Sequence, residues 1–251
     1  MKKLTILLLF FTFFHFTNAQ SFALEKKAYQ LRSQGKFKDA LVVFRLLLQL
    51  DSANANYLNC VAMLTCKTLH DANSSGNAPI AQYNHCKYLA EKALKLDTNN
   101  AESHYALAFS IGVLNEFATK KQQINNAGIM KREIDKCIKL NPKYGAAYHL
   151  LGRWYGRLAE FNSVEKLAVK IIYGATLPEA TYKAAAEAYE KSILYQPEYI
   201  LNQYELALIY HKMGKNADAK VWLNHAINST YSGDDAMQVK ASCRKLIGEL
   251  N

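Results

Sequence analysis

Catalytic signatures are missing from this chain. Neither HExxH nor GxSxG occurs, and no Gly-rich phosphate loop or calcium loop is present. Metal-assisted hydrolysis, acyl transfer and phosphoryl transfer therefore have no recognisable machinery here. The expectation is a protein that is not an enzyme and needs no cofactor. Blocks of consecutive Lys and Arg are also absent, which speaks against a nucleic-acid partner. The formal net charge of +10 is a moderate excess that favours acidic partners or surfaces without naming one. No cysteine pair has CxxC spacing, and the five present, Cys60, Cys66, Cys86, Cys137 and Cys243, are an odd number that cannot pair completely within one molecule. Buried thiols are the main reading, with Cys137 at a small, buried-type helix position. The best disulfide candidate is Cys66 with Cys86, because the segment between them, including Asn73 to Pro79, has loop composition and its ends must meet. A zinc site can be drawn on paper from Cys66, His70, His85 and Cys86, but solvated loop residues explain these positions better, and no metal is expected.

A long apolar run occurs once, and it is too short to span a bilayer. Lys2 and Lys3 precede the stretch from Leu4 to Phe16, whereas a spanning helix needs about 20 apolar residues. Thr17-Asn18-Ala19 then supplies small residues for cleavage, so residues 1–19 read as an export signal cut after Ala19. A retained anchor is the alternative. The first cysteine is Cys60, so no lipid-attachment site stands at the cleavage point. The mature chain, 20–251, is expected to be periplasmic or secreted and to form a single domain, and half of all residues are hydrophobic, enough for a substantial core.

What the chain does contain is self-similarity. Tyr148, Leu151, Gly152 and Tyr155 stand at the aromatic-x2-Leu-Gly-x2-Tyr spacing that opens a tetratricopeptide repeat. The glycine lets one helix cross close to its partner while the neighbouring side chains fill the groove. Second helices end in a recurring pattern at Leu50-Asp51-Ser52, Leu96-Asp97-Thr98, Leu140-Asn141-Pro142 and Tyr195-Gln196-Pro197. The intervals are 46, 44 and 55 residues, longer than the usual period of about 34. Extra residues must therefore sit inside units two to four.

The fold expected is all-α, an α-solenoid of about five helical hairpins. The first runs from Phe22 to Ser52, with Gly35 ending its front helix and Ala40-x3-Phe44 marking its back helix. The second starts at Asn54, breaks at the polar segment and resumes from Ile80 to Asp97. The third pairs Ala101 to Gly112 with Ile124 to Leu140. The fourth pairs the stretch around Gly152 with Glu179 to Tyr195, and Val164, Leu167, Ala168 and Ile171 suggest a short extra helix between them. The fifth, Glu198 to Ile227, is undecorated, and Asp234 to Leu250 form an amphipathic cap for the stack.

The run His149-Leu150-Leu151-Gly152-Arg153-Trp154, and the later Met213 to Lys220 with Val221-Trp222-Leu223 behind it, resemble the regulator of microtubule dynamics protein family. The resemblance covers Ala81 to Leu250. It implies an all-helical, tetratricopeptide-like scaffold without catalysis. Eukaryotic members are associated with microtubules, membrane contact sites and lipid or protein binding. An exported chain meets no tubulin, so the scaffold and a binding groove are what the resemblance carries over.

Front helices line the concave side of such a stack, at the position after the packing residue and four further on. That rule places Tyr105 and Phe109, His149 and Arg153, and Tyr204 and Leu208 on the groove. Arg157, His211 and Lys212 are expected one turn deeper, and Asn59 at the entrance. Aromatic walls hold apolar groups, and grouped Arg153, Arg157 and Lys212 suit carboxylate or phosphate. One reading is an adaptor that takes a segment of another exported protein, with the arginines on an acidic group. The alternative is a lipid-binding module using the same groove. In the blander reading the arginines only solvate the face or pair with Glu160 and Glu165.

Overall fold

The computed structural model describes residues 20–72, 80–173 and 179–250. Residues 1–19, where an export signal is expected, and the polar segment 73–79 fall outside the described residues. Every regular element among those described is a helix. In chain order they are α1 (20–33), α2 (Phe37–Leu50), α3 (Ala55–Ala72), α4 (Ile80–Leu96), α5 (Ala101–Asn115) and α6 (Lys120–Leu140). The series continues with α7 (Gly145–Ala159), α8 (Ser163–Tyr173), α9 (Tyr182–Tyr195), α10 (Ile200–Lys212), α11 (Asn216–Asn228) and α12 (Ala236–Glu249). Helix α3 packs on α4, α5 on α6, α7 on α9 and α10 on α11, while α2 leans on α3 and α12 covers α10 and α11. This is a stack of five hairpins, α8 being the extra helix of the fourth.

Local chemistry sets the helix ends. Asn100 accepts hydrogen bonds from the backbone N–H groups of Glu102 and Ser103, and Thr181 accepts one from Ala184. Thr119 and Gln122 form a reciprocal capping box, so α6 begins at Lys120, one turn ahead of the Ile124 expected from the apolar pattern. The long period of the third unit is absorbed by this 21-residue helix and needs no inserted loop. Gly35 and Gly214 follow α1 and α10 with φ of 72° and 74°. In each case the next residue donates back across the turn, Lys36 N–H to Leu31 O and Lys215 N–H to Tyr210 O, both at 2.9 Å.

Between hairpins the contact surface is apolar with a few buried polar ties. Trp154 Nε1 on α7 donates to Ala127 O on α6 at 2.8 Å. His104 Nδ1 lies 2.6 Å from Glu133 Oε2 across the α5–α6 hairpin. At Gly152 an added Cβ would lie 2.8 Å from the Tyr189 ring on α9. That ring is fully buried, so the absence of a side chain at Gly152 sets how closely α7 and α9 approach.

The disulfide expected between Cys66 and Cys86 is not present: all five cysteines are free and buried. The ends of α3 and α4 meet through helix packing, and the Cys66 thiol donates to Ser110 Oγ on α5 at 4.0 Å. The two thiols act on each other, pushing Cys66 up and Cys86 down. The four residues drawn into a paper zinc site belong to helices and not to a loop, with His85 stacked on Tyr88 and His70 turned to Glu116.

The stack also closes on itself, which the repeat pattern did not foretell. Asp234 N–H donates to Gly35 O at 2.9 Å, and its carboxylate accepts from Lys38 N–H at 3.0 Å in the first turn of α2. Lys36 Nζ reaches Ser232 O at 2.7 Å. Lys36 itself provides no side-chain cap for α2, so the far end of the chain supplies it. A Cβ at Gly35 would collide with the Tyr231 hydroxyl, and this glycine serves both the turn and the seam.

Gly152→Ala should therefore destabilise the protein by about 1–3 kcal/mol, the usual cost of overpacking. Gly248→Ala, with open space around its Cβ, should be neutral or gain up to about 1 kcal/mol from helix propensity. Chemical denaturation of both variants beside the parent checks the pair, and equal midpoints would contradict the close-approach role of Gly152.

Candidate functional site

Closure turns the concave groove into a cavity of about 1150 Å³. Its wall is rich in aromatic rings. Tyr105 and Phe109 stack on α5 with centroids 5.9 Å apart, and Tyr144 tilts against Tyr105 at 5.1 Å. Tyr199 and Tyr231 meet edge-on at 5.9 Å on the opposite side. Three polar centres interrupt this surface.

The first lies between α1, α3, α5 and the start of α7. Arg32 pairs with Glu102 and donates to Cys60 Sγ at 3.1 Å, while the Tyr144 hydroxyl donates to Glu102 Oε1 at 3.2 Å. The second is Asp235, which is 5% exposed. It accepts from Lys67 Nζ at 3.0 Å, from the Tyr199 hydroxyl at 3.1 Å and from the Tyr231 hydroxyl at 2.9 Å. Burial pulls the Lys67 ammonium down, but Asp235 and Asp71 outweigh it and hold it charged. The third joins α3, α5 and α7: Glu116 accepts from His70 Nε2 at 3.2 Å and from Arg153 at 3.0 Å. Hydrogen bonds to Asp71 and then Glu116 push His70 up to about 9.

Of the residues expected on the groove, Tyr105, Phe109, His149, Arg153 and Tyr204 line this cavity. His149 Nδ1 donates to Asn202 Oδ1 at 2.8 Å, and burial, with Arg153 adding to it, drops its pKa to about 3. It is a neutral hydrogen-bonding wall residue. Arg157 lies instead in an adjoining cleft of about 80 Å³, which Arg153 and Phe109 also border. Arg157 and Lys212 both meet Glu160, so their charge is already answered; Glu165 is bound by Lys120 at 3.1 Å. Leu208 packs into the apolar cluster beneath α12, and His211 is exposed and bonded to Asn216. Asn59 is no entrance residue: it is fully buried, donates to Ser103 Oγ at 2.8 Å and leaves its own Oδ1 unpartnered.

Sequence reasoning missed the contribution of the first two hairpins. Tyr29 and Ser33 on α1, and Met63 and Lys67 on α3, line the cavity at the same four-residue spacing as the later pairs. The signal was there, since Tyr29 directly follows the packing residue Ala28. The charge balance of the wall was also different from expectation. Asp71, Glu102, Glu116, Glu198, Glu205 and Asp235 face only Arg32, Lys67 and Arg153, apart from the histidines. Glu205 stands out, because burial raises its pKa and its one hydrogen bond comes from the Tyr189 hydroxyl at 3.4 Å. Carboxylates outnumber cationic side chains on this wall.

Asp235→Ala should cost about 2–4 kcal/mol, since it leaves the Lys67 ammonium to Asp71 alone and two tyrosine hydroxyls without their acceptor; thermal unfolding measures it, and a loss under about 1 kcal/mol would show that the hub does not hold the ends together. For His70 the folded pKa of about 9 lies above the ordinary 6.5. Its stabilisation is therefore complete below pH 6.5 and disappears as pH rises through 9. Stability curves of the parent and His70→Gln, measured across that window, should converge toward alkaline pH. Parallel curves would refute the linkage.

Comparison with known proteins bears on this architecture directly. The structure resembles that of a thermophilic TPR protein from Thermus thermophilus at a TM-score of 0.64, with 14% identity, 90% of this chain and 99% of that one being covered. This likeness speaks for the fold alone. Among curated sequences, regulator of microtubule dynamics protein 1 of Bos taurus is 27% identical over 88% of this chain and 66% of its own length. Regulator of microtubule dynamics protein 3 of Rattus norvegicus is 30% identical over 55% of this chain and 29% of its own. The chain thus spans less than two thirds of the length of these relatives. The family model for regulator of microtubule dynamics protein 1-3 matches residues 24–251, reaching back over the first hairpin as well as the later ones, and the chain belongs to that family.

Proposed function

We propose that this protein is a non-catalytic, exported adaptor whose central cavity holds a segment of another exported protein. The observation that carries this reading is the cavity itself. At about 1150 Å³ it exceeds the roughly 300–1,000 Å³ of small-molecule pockets. Its wall alternates aromatic rings with hydrogen-bonding and charged groups, as a peptide alternates apolar side chains with backbone amides. Repeat stacks use their concave side for such recognition. Export is supported by Lys2 and Lys3, the apolar run to Phe16 and the small residues ending at Ala19, all of which precede the family match at residue 24.

The excess of carboxylates selects the guest. A basic side chain flanked by apolar residues suits the part of the wall that Glu205 lines together with Tyr204 and Tyr199, whereas an acidic group would meet like charge. Arg153 is held by Glu116 and tunes this corner without being free to clamp a carboxylate.

Selection from a random peptide library by the purified mature chain, 20–251, tests the proposal. Retained peptides should be enriched in Lys or Arg between apolar residues. Glu205→Gln should weaken their binding about tenfold, which corresponds to about 1.4 kcal/mol, without moving the melting temperature downward. Enrichment of acidic peptides, or no enrichment, would overturn it. A phospholipid copurifying in the native mass spectrum of the parent would replace the peptide reading by the lipid one.

A further inference from the structure

Among the described residues, helix α8 is the one regular helix that belongs to no hairpin and is not the terminal cap. It starts with a reciprocal cap in which Asn162 Oδ1 accepts from Glu165 N–H at 2.9 Å and Glu165 accepts from Asn162 N–H at 3.0 Å. Glu165, Ala168 and Val169 turn inward, and α6 lies against this side. Lys120 on α6 binds Glu165 at 3.1 Å, so the only acidic residue of α8 is tied to the body of the protein.

The outward side is apolar. Val164, Leu167 and Ile171, spaced as one helical stripe, are 76%, 56% and 74% exposed. Lys166 and Lys170 run alongside it at i, i+4 and have no ion pair among the described residues. Isolated exposed apolar residues are ordinary, but three on one stripe of an 11-residue helix form a patch. No residue of α8 borders the central cavity. Whatever covers this face is therefore separate from the guest of the cavity.

We propose that α8 is a membrane-surface helix, lying in the headgroup region of an anionic phospholipid bilayer with Val164, Leu167 and Ile171 immersed. The charge pattern selects this occupant. Lysine stems can cover the edge of an apolar stripe while their ammonium groups rise to phosphate, and nothing acidic on α8 points outward to oppose them. Without Lys2 and Lys3 the formal charge of +10 becomes +8, which adds long-range attraction to the same surface. A protein groove would more often receive aromatic or Arg anchors, and this stripe has neither.

Flotation of the mature chain with vesicles is the test. The chain should rise with vesicles of phosphatidylcholine mixed with phosphatidylglycerol, stay behind with phosphatidylcholine alone, and be released by high salt. Leu167→Asp with Ile171→Asp, and separately Lys166→Glu with Lys170→Glu, should each lower the floated fraction at least about tenfold. Because these side chains are exposed, circular dichroism and peptide retention by the cavity should stay as in the parent. The proposal is overturned if the parent does not float with anionic vesicles, or if the aspartate pair floats as well as the parent. It is overturned too if the parent forms a dimer that this pair dissolves, which would assign the stripe to a second copy of the chain.

Discussion

One buried carboxylate decides the shape of this molecule. Asp235 accepts from Lys67 on α3, from Tyr199 at the start of α10 and from Tyr231 in the turn before α12. A stack of hairpins is ordinarily open, because each unit touches only its neighbours. Here residues more than 160 positions apart are held within hydrogen-bond distance, and the backbone seam between Gly35 and Asp234 completes the circuit. A carboxylate taken out of water is expensive unless its lone pairs are answered. Its third donor, Lys67 on α3, reaches it only when the second hairpin and the end of the chain are in register, so the same group that penalises an open superhelix rewards a closed one.

Closure changes the electrostatics of everything inside. In an open groove, pairs such as Arg32 with Glu102 or Arg153 with Glu116 would be surface pairs of little consequence. Walled in by the facing repeats, they lose water and interact at a lower effective dielectric. The two wall histidines shift in opposite directions, each after its own neighbours. His70, between two carboxylates, is held protonated, and His149, beside Arg153 and away from solvent, is held neutral. A guest entering this space meets fixed charges already paired with each other. Selectivity then comes from the carboxylates left in excess and from the rings, and not from a free cationic clamp.

Most of the architecture was legible because the determinants are local. Gly152, Gly35, Ala40-x3-Phe44 and the Asn141-Pro142 stop each stand in a short recurring pattern, so hairpin limits and the extra helix could be read from spacing. The front-helix rule also reached the cavity for Tyr105, Phe109, His149, Arg153 and Tyr204, since these face inward by helical periodicity alone. It misled for Leu208, His211 and Lys212, which sit near the last hairpin where α12 and the turn after α10 replace a next repeat. Asn59 was misjudged because a polar residue on an inward helix face reads the same whether it meets solvent or the buried Ser103. The seam was invisible for a different reason: it joins sequence positions with no shared pattern, and neither Gly35 nor Asp234 is unusual in its own neighbourhood.

Cys66 and Cys86 illustrate the same boundary between proximity and chemistry. The loop between them required their helices to meet, and they do, but meeting did not require a bond. Antiparallel packing of α3 on α4 already brings the ends together through Leu58, Ala62, Tyr83 and Ala90 in one apolar cluster. The sulfurs then lie inside that cluster, where a thiol is a small hydrophobe with a weak donor. Cys66 donates to Ser110 Oγ at 4.0 Å, so its thiol is satisfied without a disulfide. The polar centres that give the cavity its character are thus placed by an apolar framework that does not depend on covalent help, and the ring is held by side chains that can be exchanged one at a time.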